Sequence, residues 1–211
     1  MKLYHEYDKI EVGIDEVGRG CLFGRVYSAA VILPKEIDEE DVCPIEIKDS
    51  KKLSAKNREI LDEYIKHIAL DYNISYQEPE VIDKVNILQA TYRSMHQNID
   101  NLSIDVDKIL VDGNNFKPYY RWDDNGANLV PHECIIDGDN IYTPIAAASI
   151  LAKVARDKYI EELCEKNPEL DEKYNILSNK GYGAKAHILG IKDYGITDGH
   201  RKTFGICAEY S

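Results

Sequence analysis

Two short apolar runs, far apart in the chain, each end in carboxylates beside glycine, and this limits the possible fold more than any other feature. Residues 11–17 alternate as a strand should, with Val12, Ile14 and Val17 apolar, and they carry Asp15-Glu16 just before Gly18. Ile109-Leu110-Val111 runs directly into Asp112-Gly113-Asn114, which suits a sharp turn. A charge among apolar strand neighbours is costly unless a partner compensates it. In α/β proteins ligands bind at the carboxyl ends of strands, so acids from both runs can converge on one site. Successive side chains of a regular strand point to opposite faces, so Asp15 and Glu16 do not simply sit side by side. For Asp112 the competing explanation is an Asx-turn that merely ends a strand.

The rest of the chain reads as a sheet covered by helices. Residues 26–33 form a second strand stopped by Pro34, and Gly18, Gly20 and Gly24 suit a tight link that makes it the antiparallel neighbour of the first. Residues 36–41 read as a solvated acidic loop. Ser54 is a fitting N-cap for a helix to Leu70, whose Ile60, Leu61, Tyr64, Ile65 and Ile68 recur at helical spacing. A strand is expected over 71–76, one helix over 79–98, an aromatic-rich loop after Asn114, and a strand within 129–136. Pro144 precedes an alanine-rich helix over 145–164, and Gly181 and Gly183 break the chain before a shorter helix over 184–194. Strands come early and helices later, which predicts an α/β fold with a mixed sheet; 211 residues suit one domain.

A third acidic group, Asp137-Gly138-Asp139, stands shortly before the alanine-rich helix. Carboxylates gathered from strand ends and a loop suit hard divalent cations, chiefly Mg2+ or Mn2+. Two such ions about 3.5–4 Å apart can activate water and stabilise the leaving oxygen of a phosphodiester. The five cysteines show no CxxC and no ligand spacing, so they read as free thiols in a reducing compartment. No run approaches the roughly 20 apolar residues of a membrane span, and the acid-bearing start lacks a signal-peptide core, so a cytoplasmic protein is expected.

Other groups suit a phosphate backbone. Gly18-Arg19-Gly20 offers backbone amides beside a cation, and Lys51 and Lys52 precede a helix start. Ser149 and Lys153, with Arg156 approximately, share a helix face. Lys180-Gly181-Tyr182-Gly183 joins a cation to a ring able to stack, although a structural tyrosine is an equal reading in a chain with 15 of them. His187 and His200 are compatible with surface positions and belong to no recognisable nucleophilic triad. The net charge of −12 opposes tight non-specific binding of nucleic acid. It is unevenly spread: residues 1–148 hold 16 basic and 28 acidic side chains, residues 149–202 hold 10 and 9.

Taken together these segments resemble the type 2 ribonuclease H family. Gly13-Ile14-Asp15-Glu16-Val17-Gly18-Arg19-Gly20 is similar to its opening signature. Asp49-Ser50-Lys51-Lys52-Leu53-Ser54, Val111-Asp112-Gly113-Asn114 and the stretch from Ile145 to Asp157 follow in family order. Lys180-Gly181-Tyr182-Gly183-Ala184-Lys185-Ala186-His187 and His200-Arg201-Lys202-Thr203-Phe204 complete the pattern, so the resemblance covers about residues 10–205.

The resemblance implies a ribonuclease H-like α/β fold in one catalytic domain, residues 1–205, with a helical C-terminal part from about 158 and a short tail over 206–211. It implies four metal-site acids, Asp15, Glu16, Asp112 and Asp139, and it selects Asp139 over Asp137. Gly18, Arg19 and Gly20 would recognise ribose and phosphate at an RNA-to-DNA junction, Tyr182 would pack on the following deoxyribose, and Lys51, Ser149 and Lys153 would bind substrate. The implied activity is Mg2+- or Mn2+-dependent cleavage 5′ to a ribonucleotide in RNA/DNA hybrids and in duplex DNA with embedded ribonucleotides, leaving 3′-hydroxyl and 5′-phosphate. A monomer is expected, and residues 206–211 show no sliding-clamp peptide with its usual paired aromatics.

Departures are few. Asp137 stands where the family often has lysine, and Val17 and Phe23 replace smaller alanines. Gly-Arg-Gly and the 12 residues before Gly13 favour type 2 over type 3 enzymes, which carry an extra N-terminal domain. Two rival readings are a nuclease or strand-transfer enzyme of the same broad fold acting on DNA alone, and a binding module with a decayed site. Retention of all four acids opposes the second.

Overall fold

Alternation in the first run does produce a strand, β1 (Glu11–Val17), and the wholly buried run after it forms β2 (Val26–Ile32). The two are antiparallel, with Gly13 opposite Val31 and Val17 opposite Tyr27. The computed structural model describes residues 1–38, 42–124 and 126–211; part of the expected acidic loop, residues 39–41, lies outside the described residues.

Ser54 caps α1 (Ala55–Ile68) as expected, its hydroxyl accepting from the Asn57 amide at 3.2 Å. β3 (Asp71–Gln77) then pairs antiparallel with β2. The single helix expected over 79–98 is two, α2 (Pro79–Val85) and α3 (Ile87–Asp100). Asn86 separates them at φ +71°, a conformation asparagine tolerates, and its side chain accepts from the Gln89 amide at 3.1 Å to start α3.

β4 (Lys108–Asp112) follows and lies parallel to β1. The aromatic-rich stretch after it is not simply a loop. It contains a hairpin of β5 (Tyr119–Asp123) and β6 (Gly126–Val130), two antiparallel strands in which tyrosine and tryptophan suit the pleated surface. Tyr119 and Val130 face inward while Tyr120, Trp122 and Leu129 face out. β7 (His132–Ile135) returns to the main sheet parallel to β4, giving the order β3-β2-β1-β4-β7.

The alanine-rich run forms α4 (Thr143–Lys166), and α5 (Glu169–Tyr174), α6 (Ile176–Asn179) and α7 (Lys185–Tyr194) follow. Central β1 thus separates two layers. On one face Val12 and Ile14 pack with Tyr92, Met95 and Ile99 of α3. On the other lies α4, small and apolar all round its first turns and therefore buried on every side between the sheet and α1. A third cluster joins Phe23 and Ile160 to Tyr174, Ile191 and Cys207. Among the described residues no helix is long and apolar enough to cross a membrane.

The seating of α4 on β1 is set by glycines. A Cβ on Gly13 would stand 2.2 Å from the carbonyl carbon of Pro144, and one on Gly18 would stand 2.3 Å from Nε of Arg156. Five strand residues span about 17 Å. Eleven or twelve helical residues span about the same. The helix therefore runs alongside the strand, and Ser149, Lys153 and Arg156 are laid out in the order in which β1 approaches its carboxyl end.

Candidate functional site

Register brings the first two acids together. Ile14 is opposite Val111 in the parallel pair, so Asp15 and Asp112 are the next residues along neighbouring strands. Asp15 faces α4, where the Ser149 hydroxyl, paired with that of Ser50 at 3.0 Å, lies near enough to ease its ionisation, and its Oδ1 accepts the Glu16 amide at 2.7 Å. Glu16 leaves by the other face, as strand geometry requires, and pairs with Arg19 at 3.0 Å. Asp112 Oδ1 accepts the amide of Gly138 at 2.8 Å, which ties the end of β4 to the turn carrying the third acidic group. A Cβ at Gly138 would stand 2.8 Å from Cδ1 of Ile145, which would have to shift to admit it.

Within that turn the two aspartates differ sharply. Asp137 is exposed in the left-handed region at φ +54°, whereas Asp139 is buried in a 3-10 turn over Gly138–Asn140. Asp139 Oδ1 accepts from Asn140 Nδ2 at 2.8 Å, and the side-chain Oδ1 of Asn140 in turn accepts from Lys52.

The electrostatics mark one cluster. Burial pushes the Asp15 carboxyl well above the usual carboxylate range, and the charges of Glu16 and Asp112 push it further. Glu16 is raised by burial against the opposing pull of Arg19, with Asp112 adding to the rise. Asp139 is raised by burial, then by Asp112 and Asp49, and Lys51 opposes them. Asp112 is thus within electrostatic reach of all three other acids. An all-oxygen set that is buried and mutually repelling fits hard divalent cations, which supply the missing positive charge.

These acids are spread more widely than one ion's shell. Among the described residues the only group of such side chains with ligand atoms within 4.8 Å is His5, Glu6 and Glu11. That group lies at the opposite end of β1 and is occupied by protein donors. Glu11 accepts the amides of His5 and Glu6 at 2.7 and 2.8 Å, and Lys108 reaches Glu6 at 2.6 Å and Glu133 at 2.9 Å. It fastens the N-terminal segment to the sheet.

Beyond the acids, two buried guanidiniums shape the glycine loop. Arg201 donates to the carbonyls of Gly18 at 2.7 Å, Arg19 at 2.8 Å and Gly24 at 3.0 Å. Arg156 donates to Lys180 at 2.8 Å, Arg25 at 3.1 Å and Phe23 at 3.3 Å. Among the described residues neither pairs with a carboxylate. Both spend their charge on backbone oxygens, turning these inward beneath the loop, while Gly20 is exposed with open space beside it.

The same residues bind the loop to the turn at Tyr182. Leu22 and Phe23 donate to the Gly181 carbonyl at 2.8 and 3.3 Å. The Tyr182 ring lies over Arg156 at 5.7 Å, and its hydroxyl meets Cys21; burial pushes that hydroxyl up to about 12. Tyr182 keeps 41% of its surface exposed, enough to meet a ligand.

The structure therefore places Asp112 within electrostatic reach of Asp15, Glu16 and Asp139, with Ser149 near Asp15 and Lys51 near Asp139, and it sets Gly18, Arg19, Gly20 and Tyr182 beside one another. Lys153 is paired with Asp157 at 2.6 Å. His187 and His200 are not surface residues: both are fully buried, because the C-terminal helices close over them. The sequence reading passed over Asp49 as an acid of the cluster, and Arg201 as the fastener of the loop. Asp49 had a signal, an aspartate before two lysines; a buried arginine bonded only to carbonyls has none.

Comparison with known proteins agrees with this fold. The family model described as Ribonuclease HII matches residues 12–207. A relative named Ribonuclease HII from Parabacteroides distasonis is 44% identical over 206 residues, covering 98% of this chain and 95% of its own length. Among solved structures, ribonuclease H2 from Pyrococcus horikoshii OT3 superposes with a TM-score of 0.73 at 25% identity, covering 95% of this chain and 96% of that one. The RNase HII of Archaeoglobus fulgidus, solved as a complex with PCNA, gives a TM-score of 0.70 at 25% identity, with 93% and 95% covered.

Proposed function

This chain belongs to the ribonuclease HII family, and from that premise we propose that Asp15, Glu16, Asp112 and Asp139 hold its metal ions while Gly18, Arg19, Gly20 and Tyr182 read the sugar-phosphate junction. The protein is a divalent-metal-dependent endoribonuclease that cleaves at ribonucleotides in RNA/DNA hybrids or in DNA containing them. The observation that carries the site assignment is the group of carboxylates around Asp112, whose charge raises the cost of ionising Asp15, Glu16 and Asp139.

Mg2+ or Mn2+ bound there would supply activation of water and stabilisation of the leaving oxygen. The protein's own part is positional. The Glu16 amide holds Asp15, with the Ser149 hydroxyl near it, the Gly138 amide holds Asp112, and Asn140 holds Asp139. Arg19 pairs with Glu16 in the free protein, and a phosphate at the loop gives its guanidinium a second anion to meet. Lys51 adds a cation beside Asp139. Lys153 offers a further phosphate contact by exchanging Asp157 for substrate.

Cleavage 5′ to the ribonucleotide, one catalytic domain through residue 205 and a cytoplasmic setting complete the reading. The Archaeoglobus fulgidus relative forms a complex with PCNA. The lack of paired aromatics in residues 206–211 is therefore no ground for excluding a sliding clamp as partner.

Matched duplexes with and without one ribonucleotide test the activity directly: cleavage of the all-deoxy duplex in Mg2+ would replace this reading with a DNA nuclease. Asp139→Asn should reduce kcat by about 10²-fold or more, and Asp137→Asn by less than about threefold, since only the buried aspartate faces the cluster. Equal losses would overturn the choice between them.

Tyr182→Ala tests the junction. Metals do not distinguish sugars, whereas a ring against the deoxyribose leaves little room for a 2′-hydroxyl. This variant should lower kcat/KM on DNA containing one ribonucleotide roughly tenfold more than on a continuous hybrid. Steady-state rates on both substrates, with thermal unfolding as control, measure it, and an equal loss on both would remove the role.

A further inference from the structure

Two buried imidazoles remain that neither the metal cluster nor the loop uses. His187 and His200 meet Nε2 to Nε2 at 3.1 Å, fully enclosed among Phe23 and Tyr174. Hydrogen-bond direction can be worked out along the pair. The Thr197 amide is an obligatory donor, and it reaches His200 Nδ1 at 2.9 Å. That nitrogen must accept, so the proton of neutral His200 is on Nε2. Nε2–H then donates to His187 Nε2, which leaves the His187 proton on Nδ1. His187 Nδ1 lies 2.9 Å from the carbonyl oxygen of Tyr182 and donates to it.

The chain of bonds therefore has one direction, from Thr197 through both rings to Tyr182, and it works only if both rings are neutral. Burial, reinforced by the neighbouring His187, pushes His200 down to about 4, and burial likewise lowers His187, so both are neutral near pH 7. The far end is fixed independently. His200 forms a bridge with Phe23, Gly24 donates to Gly199 at 2.8 Å, and Arg201 donates to Leu22 at 2.8 Å. Lys180 and Gly181 sit at φ +51° and +82°, a strained entry that a carbonyl anchor on Tyr182 would hold in place.

We propose that His187 and His200 form a proton-ordered relay that positions Tyr182, making both histidines positioning residues for selectivity at the ribonucleotide-to-DNA junction. This rests on the reading of Tyr182 given above. The relay links the turn bearing the ring to the strand segment that continues the glycine loop, so the two halves of the junction reader keep one spacing.

Two measurements test it. Nitrogen-15 spectra of histidine-labelled enzyme at pH 7 should show His187 protonated on Nδ1 and His200 on Nε2; the opposite tautomers, or a charged ring, would overturn the relay whatever Tyr182 does. His187→Phe keeps a ring but removes the donor, whereas His187→Asn places an amide N–H where Nδ1–H stood. His187→Phe should lower the ratio of kcat/KM for DNA with one ribonucleotide over continuous hybrid by about fivefold to tenfold, the scale of one lost hydrogen bond. His187→Asn should recover most of that ratio, and His187→Phe should add no further loss of it in a Tyr182→Ala background. All rates are taken below each variant's unfolding transition.

If Tyr182→Ala removes the preference and His187→Phe does not, or if His187→Asn fares no better than His187→Phe, the relay fails alone. If Tyr182→Ala leaves the preference intact, the sugar-reading role fails and the positioning role fails with it.

Discussion

Asp112→Asn is expected to lower kcat in saturating Mg2+ by about 10³-fold or more while leaving the metal-free protein at least as resistant to heat as the parent. Asp112 is the one acid whose charge reaches Asp15, Glu16 and Asp139 alike. Neutralising it removes a share of repulsion from each, which favours the folded state when no cation is bound. The amide oxygen of asparagine can still accept from Gly138, so the turn keeps its anchor. The parent should gain stability on adding Mg2+, since an ion bound only by the folded state stabilises it by mass action, and the variant should gain much less. Asp15→Asn should behave likewise. Initial rates and melting curves with and without Mg2+ measure both halves; near-native turnover in either variant would end the assignment of these acids to the metals.

The second large effect is structural. Gly13→Ala should cost about 3 kcal/mol and lower Tm by roughly 6–12 °C, because its methyl group would meet backbone rather than a yielding side chain. Strand β1 and the first turn of α4 cannot both stay where they are. Activity should fall as well, since α4 brings Ser149 to Asp15. Gly20→Ala is the stability control, with nothing within 4 Å of the added carbon, and its melting point should stay within about 1 °C. A Gly13→Ala protein that melts with the parent would show that helix and strand are not in contact at this point.

What could be read in the sequence follows the local rules. β1 has the bounds its alternation predicts, Ser54 caps the helix it was expected to cap, and Asp15 and Asp112 do stand at the ends of neighbouring parallel strands. Each depends on neighbours in the chain or on simple strand geometry. Asn86 shows where this stops: an apolar spacing continued past it, yet one residue at positive φ divided the helix. The β5–β6 hairpin escaped because its outer face is aromatic, and Tyr120 and Trp122 made it look like a loop rather than a strand with an open side. Nothing local announces that Arg201 serves a loop 180 residues earlier, or that His187 and His200 touch. Those contacts exist only once the C-terminal helices have closed.

Arg201 carries a consequence for the order in which the enzyme is made. A ribosome delivers β1, β4, the Asp139 turn and most of α4 well before it delivers residue 201, so the acids that we propose bind metal are made on a growing chain that still lacks the guanidinium beneath Gly18 and Arg19. Until the final segment emerges and threads its side chain under that loop, the nascent protein holds its carboxylates without the fastened loop that we propose aims them at a ribonucleotide. A chain that ends before residue 201 lacks the guanidinium that donates to the carbonyls of both Gly18 and Arg19.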